Sequence, residues 1–300
     1  MEEKEVFKQN LEETDTQGML FPMQLLMKEY VKMPDEKRIT EVLNKHLENV
    51  KCISYKEEMA AFSANKYTAE FKQGKIPPQL FIMSCKEFDG SKIDEFKKSQ
   101  MWDCANDKDR ILSECKYSIT ATDMMAATLP YKERAELYMD FMEALVELFP
   151  ECEAVYFLNT GKMFLANDIR KHTIAREARY IMFGVNVRFF NIEGTNDMIV
   201  DTVGMSTLFL PDIQYHFHDM DPNCLVNHAY NIALYIFNNN NPIKDGDTVD
   251  AIIDGLISKE IQWKCQYEMS LIQPSRELID INMNEYAAGK DRGRWNFGKR

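Results

Sequence analysis

The sequence predicts an α+β fold of two units, each a mainly antiparallel sheet backed by helices. Paired strand-like runs joined by turns dominate the second half, and strict strand–helix–strand alternation is absent. The 300 residues, 45% hydrophobic, suffice for two cores, since domains usually hold roughly 100 to 200 residues. The expected boundaries are an acidic and amphipathic segment over 1–33, an N-terminal α+β unit over 34–170, a C-terminal α+β unit over 171–289 and a basic tail over 290–300.

The lead-in MEEKEVFKQNLEETDTQ is acidic and polar, where a secretory signal carries a basic patch and then an apolar block. In MLFPMQLLMKEYVKM, Leu25, Leu26 and Tyr30 are available to cover a core or a partner. PDEKRITEVLNKHLE predicts a helix, with Pro34 near its first turn and Ile39, Val42, Leu43 and Leu47 at helical spacing; His46 falls beside that stripe, in solvent. VKCISY, MAAFSA and PQLFIMSC predict strands around Gly74 and the Pro77–Pro78 pair. GSKIDEFKKSQMW and DKDRILSEC read as helical, and KYSITATDM as a further strand.

Tyr131 to Phe149, bracketed by Pro130 and Pro150, predicts a strong helix that buries Leu137, Phe141, Leu145 and Leu148. Another face carries Glu136, Asp140, Glu143 and Glu147 at three- and four-residue spacing. Like charges so placed cost the helix only a few tenths of a kcal/mol per pair. The stripe is either a solvated face or a docking surface for a basic partner, whose encounter it would speed. EAVYFLN predicts the next strand, with a turn at Asn159 to Gly161, and a link follows over Asn167 to Arg179.

The second unit opens with VNVRFFNIEGTNDMIVDTVGM, a predicted hairpin bending at Gly194, with Asp201 unusual inside its second strand. DIQYHFHDM predicts a strand, Asp221 an N-cap, and Pro222 to about Asn238 a helix. WKCQYEMSL and ELIDINM, joined by IQPSR, complete the set. The strand period of two puts Ile213, Tyr215 and Phe217 on one face and Gln214, His216 and His218 on the other, with the two imidazoles about 7 Å apart along the strand.

The same period alternates Trp263, Cys265, Tyr267 and Met269 with Lys264, Gln266, Glu268 and Ser270. With these two strands side by side, Gln214, His216, His218, Gln266 and Glu268 form one candidate ligand-binding surface, with Asp280 nearby. A metal reading makes His216, His218 and Glu268 ligands of a divalent ion such as zinc. Glu268 then serves as ligand or general base, Asp280 orients a histidine, and His228 is a weaker candidate ligand.

More specific catalytic patterns are missing. The sequence has no H-E-x-x-H, P-loop or G-x-G-x-x-G, and GMSTL lacks the second glycine of a nucleophile elbow. DGDT lacks the remaining ligands of an EF-hand loop. A net charge of −12 opposes binding to a phosphate backbone; the tail KDRGRWNFGKR, residues 290–300, is the one stretch suited to nucleic acid. No apolar run approaches the roughly 20 residues of a membrane helix. Seven scattered cysteines without a C-x-x-C pair suit a reducing cytoplasm, so a cytoplasmic protein is expected.

Three segments, DMIVDTVGMSTLFLPDIQYHFHDMDPN, NIALYIFNNN followed by IKDGDTV, and WKCQYEMSLIQPSRELIDINMNEYAAGKDRG, resemble the bacterial family called domain of unknown function 4261. The resemblance spans about Asp197 to Gly293, with the first half similar to the less uniform N-terminal part of such proteins. It implies a bacterial cytoplasmic protein and brings no reaction, cofactor or catalytic residue. The leading functional expectation is a non-enzymatic protein-binding or regulatory module without a cofactor. The alternatives are the metal-assisted hydrolase and a structural subunit that docks through Met23 to Met33 and the tail.

Overall fold

A computed structural model describes residues 20–253 and 255–289, which fall into two compact units. The acidic lead-in and the basic tail, with its nucleic-acid reading, lie outside the described residues. The first unit comprises residues 20–186 and Thr207–Phe209, the second Val187–Ser206 and the described residues from Leu210 onward.

The first unit runs β1 (Met23–Met27), α1 (Glu36–Leu47), β2 (Val50–Lys56), β3 (Met59–Ala64), the small hairpin β4 (Ala69–Phe71) and β5 (Gly74–Ile76), then β6 (Gln79–Met83) and β7 (Lys86–Glu87). It continues through α2 (Glu95–Ser99), α3 (Lys108–Glu114), β8 (Tyr117–Met124), α4 (Tyr131–Leu148), β9 (Ala154–Phe157), β10 (Lys162–Leu165) and α5 (Ala166–Arg170). The main sheet is antiparallel in the order β10-β9-β1-β8-β6-β3-β2, with β7 added beside β8. Helix α1 starts at Asp35, whose carboxylate accepts from Arg38 N at 2.8 Å, and it packs on α4.

Two expectations change here. Of the docking segment Met23 to Met33, the first five residues are not free for a partner, because they form β1, flanked by β8 and β9 with Met23, Leu25, Leu26 and Met27 all buried, whereas Tyr30 stays exposed. Strand MQLLM is apolar except for the partly buried Gln24, which suits a strand flanked on both edges inside the sheet. The boundary also moves from 170/171 to 186/187. The intervening residues are tied to the first unit: Lys162 Nζ donates to the carbonyls of Met182 (2.6 Å) and Val185 (2.7 Å), and Arg179 donates to Asp140 Oδ1 (2.6 Å) and Glu143 Oε1 (2.7 Å).

The second unit contains β11 (Asn186–Asn191), β12 (Met198–Val203), β13 (Asp212–Phe217), α6 (Pro222–Asn238), β14 (Thr248–Ile253), β15 (Leu256–Met269) and β16 (Glu277–Asn282). The sheet order is β11-β12-β13-β16-β15-β14, with β13 and β16 parallel. Helix α6 is capped by Asp221, which accepts from Asn223 N at 2.9 Å, and packs on β12 and β13. It covers the face of Tyr215, whose ring meets His228 of α6 and Trp263 of β15. No helix among the described residues is long and apolar enough to cross a membrane.

Candidate functional site

The polar face of the second sheet carries a row of paired positions. Asp201 on β12 is opposite Gln214 on β13, Gln214 is opposite Asp280 on β16, and Asp280 is opposite Gln266 on β15. Cross-strand partners point to the same side, so four polar side chains share one line. The alternation expected in the two strands therefore holds. Their direct pairing does not: β16 separates β13 from β15 by two strand spacings, about 10 Å.

One end of the row is an ion network. Arg188 on β11 grips Asp201 with two bonds, Nε to Oδ1 at 2.8 Å and Nη2 to Oδ2 at 2.6 Å. Arg276, just before β16, uses all five of its guanidinium N–H groups. Nε donates to Asp212 Oδ2 (3.2 Å), Nη2 to Asp201 Oδ2 (2.7 Å) and Thr202 O (2.6 Å), and Nη1 to Ile272 O (3.1 Å) and Pro274 O (2.7 Å). Asp212 also accepts from the Thr202 hydroxyl, Met205 N and Ser206. All four charged side chains are buried, and two positive charges meet two negative ones. Removing a single partner from such a set strands a buried charge.

The centre of the row is different. Gln214 Nε2 donates to Asp280 Oδ1 at 3.0 Å, while Gln214 Oε1 accepts from Leu271 N at 2.9 Å. Asp280 is 1% exposed. Burial pushes its carboxyl up to about 7; the Gln214 bond pulls the other way and the neighbouring Glu268 adds to the rise. Burial also raises Glu268, with Asp245 contributing. Gln214 and Asp280 are thus interior groups, and Asp280 orients an amide, not the histidine expected from sequence.

The proposed metal ligands do not come together. His216 Nε2 lies 3.5 Å from Asp197 Oδ2, His218 Nδ1 lies 2.9 Å from Asp219 Oδ2, and Glu268 sits two strands away beside Asp280. Among the described residues, no three His, Cys, Asp or Glu side chains form a group suited to a metal ion. His228, the weaker candidate, is in the apolar core. Its Nε2 is 2.9 Å from Asp250 O, an acceptor without a proton, so Nε2 carries the ring proton and Nδ1 accepts from Tyr215 OH at 2.6 Å. Burial lowers its pKa, favouring the neutral ring those bonds require.

The carboxylates of α4 offer no bare acidic face. Arg176 Nη2 donates to Asp140 Oδ2 (3.0 Å) and to Glu136; Arg179 donates to Asp140 Oδ1 (2.6 Å) and Glu143 Oε1 (2.7 Å). Glu147 is held by Lys45 Nζ and His46 Nε2, both at 2.8 Å. The docking candidates Glu136, Asp140, Glu143 and Glu147 are therefore all paired inside the unit, and His46 is a half-buried partner, not a solvated side chain. Burial pushes the thiols of Cys104, Cys152 and Cys265 up to about 12 and that of Cys115 up to about 11, which suppresses thiolate chemistry at those positions.

Sequence reasoning noticed Asp201 but missed Arg188, Asp212 and Arg276. The signal was present in VNVRFFN and MIVDTV, where one charge interrupts each apolar strand. Isolated opposite charges on neighbouring strands, each bounded by buried residues, pair or pay a large desolvation cost. No curated protein and no solved structure matches the chain. Residues 201–282 match the family described as Domain of unknown function (DUF4261), a span that begins at Asp201 and ends with the last residue of β16. The segment that supplies Asp201, Asp212, Gln214, Arg276 and Asp280 is a DUF4261 domain.

Proposed function

We propose that the protein is a non-enzymatic, cytoplasmic protein-binding module that engages its partner through the apolar end of the β14–β15 hairpin. One observation carries the reading. Ile253 and Leu256 are opposite each other at the hairpin end, Ile257 follows, and Leu256 and Ile257 are 74% and 55% exposed. Ile261, in the irregular stretch where the β14–β15 register shifts, is exposed as well. Exposed aliphatic side chains, here on both faces of the hairpin end, mark association sites, and fully covering each one contributes about 2 kcal/mol.

Two further observations support the reading. Arg188, Asp201, Asp212 and Arg276 are occupied with each other, which leaves the charged end of the polar row a structural task. All seven cysteines are unbridged, as in a reducing compartment. The metal-assisted alternative loses its ligand set, because His216 and His218 are held apart from Glu268.

The test is affinity capture from the native host with the full chain and with the Leu256→Asp, Ile257→Asp double variant. The wild type is expected to retain a stoichiometric partner at both low and moderate salt, and the variant to lose it while keeping its unfolding midpoint. Absence of a partner, or equal capture by the variant, would overturn the proposal.

A further inference from the structure

Residues 171–178 contribute no buried side chain, yet they follow α5, with buried Ile169, and precede the buried Tyr180 and Ile181. Charge holds this stretch down. Arg176 and Arg179 reach Glu136, Asp140 and Glu143, and His172 Nδ1 lies 3.5 Å from Glu143 Oε2. Arg176 is 62% exposed along its side chain, so its bonds are screened by solvent.

The covered groups are imperfectly satisfied. The Tyr67 hydroxyl is buried beside Glu136 and Asp140 and has no hydrogen-bond partner among the described residues; neither does Arg179 Nε. A buried donor without an acceptor costs free energy, and lifting the segment returns that of Arg179 Nε by taking it to water. Burial also pushes the Asp140 carboxyl up, opposed by Arg179 and Arg176, so the same motion relieves its desolvation.

We infer that residues 172–179 act as an internal ligand of the α4 carboxylate stripe, displaced when an arginine-rich basic peptide of a partner takes their place. The incoming guanidinium groups replace Arg176 and Arg179 on Asp140 and its neighbours, and the Tyr67 hydroxyl supplies a further polar contact. Arginine suits the site because its planar fork bridges two carboxylates, as Arg176 and Arg179 already do. The inference concerns the first unit and is independent of the hairpin proposal.

The experiment uses the full chain with labelled hexa-arginine as probe, followed by anisotropy and by amide exchange across residues 171–180. Saturating peptide is expected to speed exchange in that stretch while α6 keeps its protection. Arg176→Gln removes one internal competitor and is expected to bind the probe about threefold tighter. Lys171→Gln, which removes the same charge from a residue paired with Asp168, is expected to match wild type. Equal affinities for the two variants, unchanged exchange at saturation, or no binding would each overturn the inference. The hairpin double variant should bind the probe as wild type does.

Discussion

Asp201 and Asp280 occupy the same polar face of one sheet, separated by Gln214, and both are buried. Asp201 receives two guanidinium groups; Asp280 receives an amide and has a carboxylate for a neighbour. Burial of a carboxylate is tolerable where positive charge replaces water, and where burial outweighs the hydrogen bond received, as at Asp280, the proton is retained instead. Arg188 and Arg276 thus make the first position a charged structural pin. Asp280 becomes a group that titrates near neutrality.

The largest expected effect comes from breaking the charged side of that comparison. Asp201→Ala leaves Arg188 and Arg276 with Asp212 as the remaining carboxylate of the set and is expected to cost about 3–5 kcal/mol. Urea unfolding at pH 7 measures it; a loss under about 1 kcal/mol would mean the network is not a unit.

Asp280→Asn acts in the opposite direction. The folded carboxyl holds its proton to about pH 7, whereas the unfolded one releases it near 3.8, so unfolding releases a proton between those values. The contribution of Asp280 to wild-type stability therefore falls as pH rises from 3.8 to about 7 and then levels. The amide removes this penalty. The variant should gain little at pH 4 and about 4 kcal/mol above pH 7. Parallel stability–pH curves for the two proteins would show that Asp280 is not the titrating group.

Smaller effects sharpen the picture. Tyr215→Phe leaves Nδ1 of His228 buried without its donor and should cost about 1–3 kcal/mol by urea unfolding, whereas no change would place another donor there. The His216→Ala, His218→Ala double variant is expected to carry the same metal content as wild type when both are purified without an affinity tag. A stoichiometric metal lost in the variant would restore the ligand set that Glu268 stands too far away to complete.

Much of the local structure was legible. Pro130 and Pro150 delimit α4, and the alternation in IQYHFH and WKCQYEM correctly turns Tyr215 and Trp263 toward the same side. The DUF4261 segment was recognisable from its sequence. The insertion of β16 between β13 and β15 was not, because strand order depends on where a returning chain adds itself. Local alternation is the same in either arrangement. The Arg276 bonds to Asp212 and Asp201 span 64 and 75 residues, beyond any spacing rule. The α4 stripe misled for a similar reason. Its three- and four-residue spacing is identical in a solvated and a paired helix face, and its arginines arrive from 36 to 40 residues downstream.

The most direct test of the contrast between the two aspartates is a site-resolved titration of the Asp280 carboxyl carbon in the full-length folded protein. A midpoint near pH 7 agrees with a buried carboxyl met by an amide and a neighbouring acid. A midpoint near pH 4, the ordinary aspartate value, would contradict it and place water or positive charge beside Asp280.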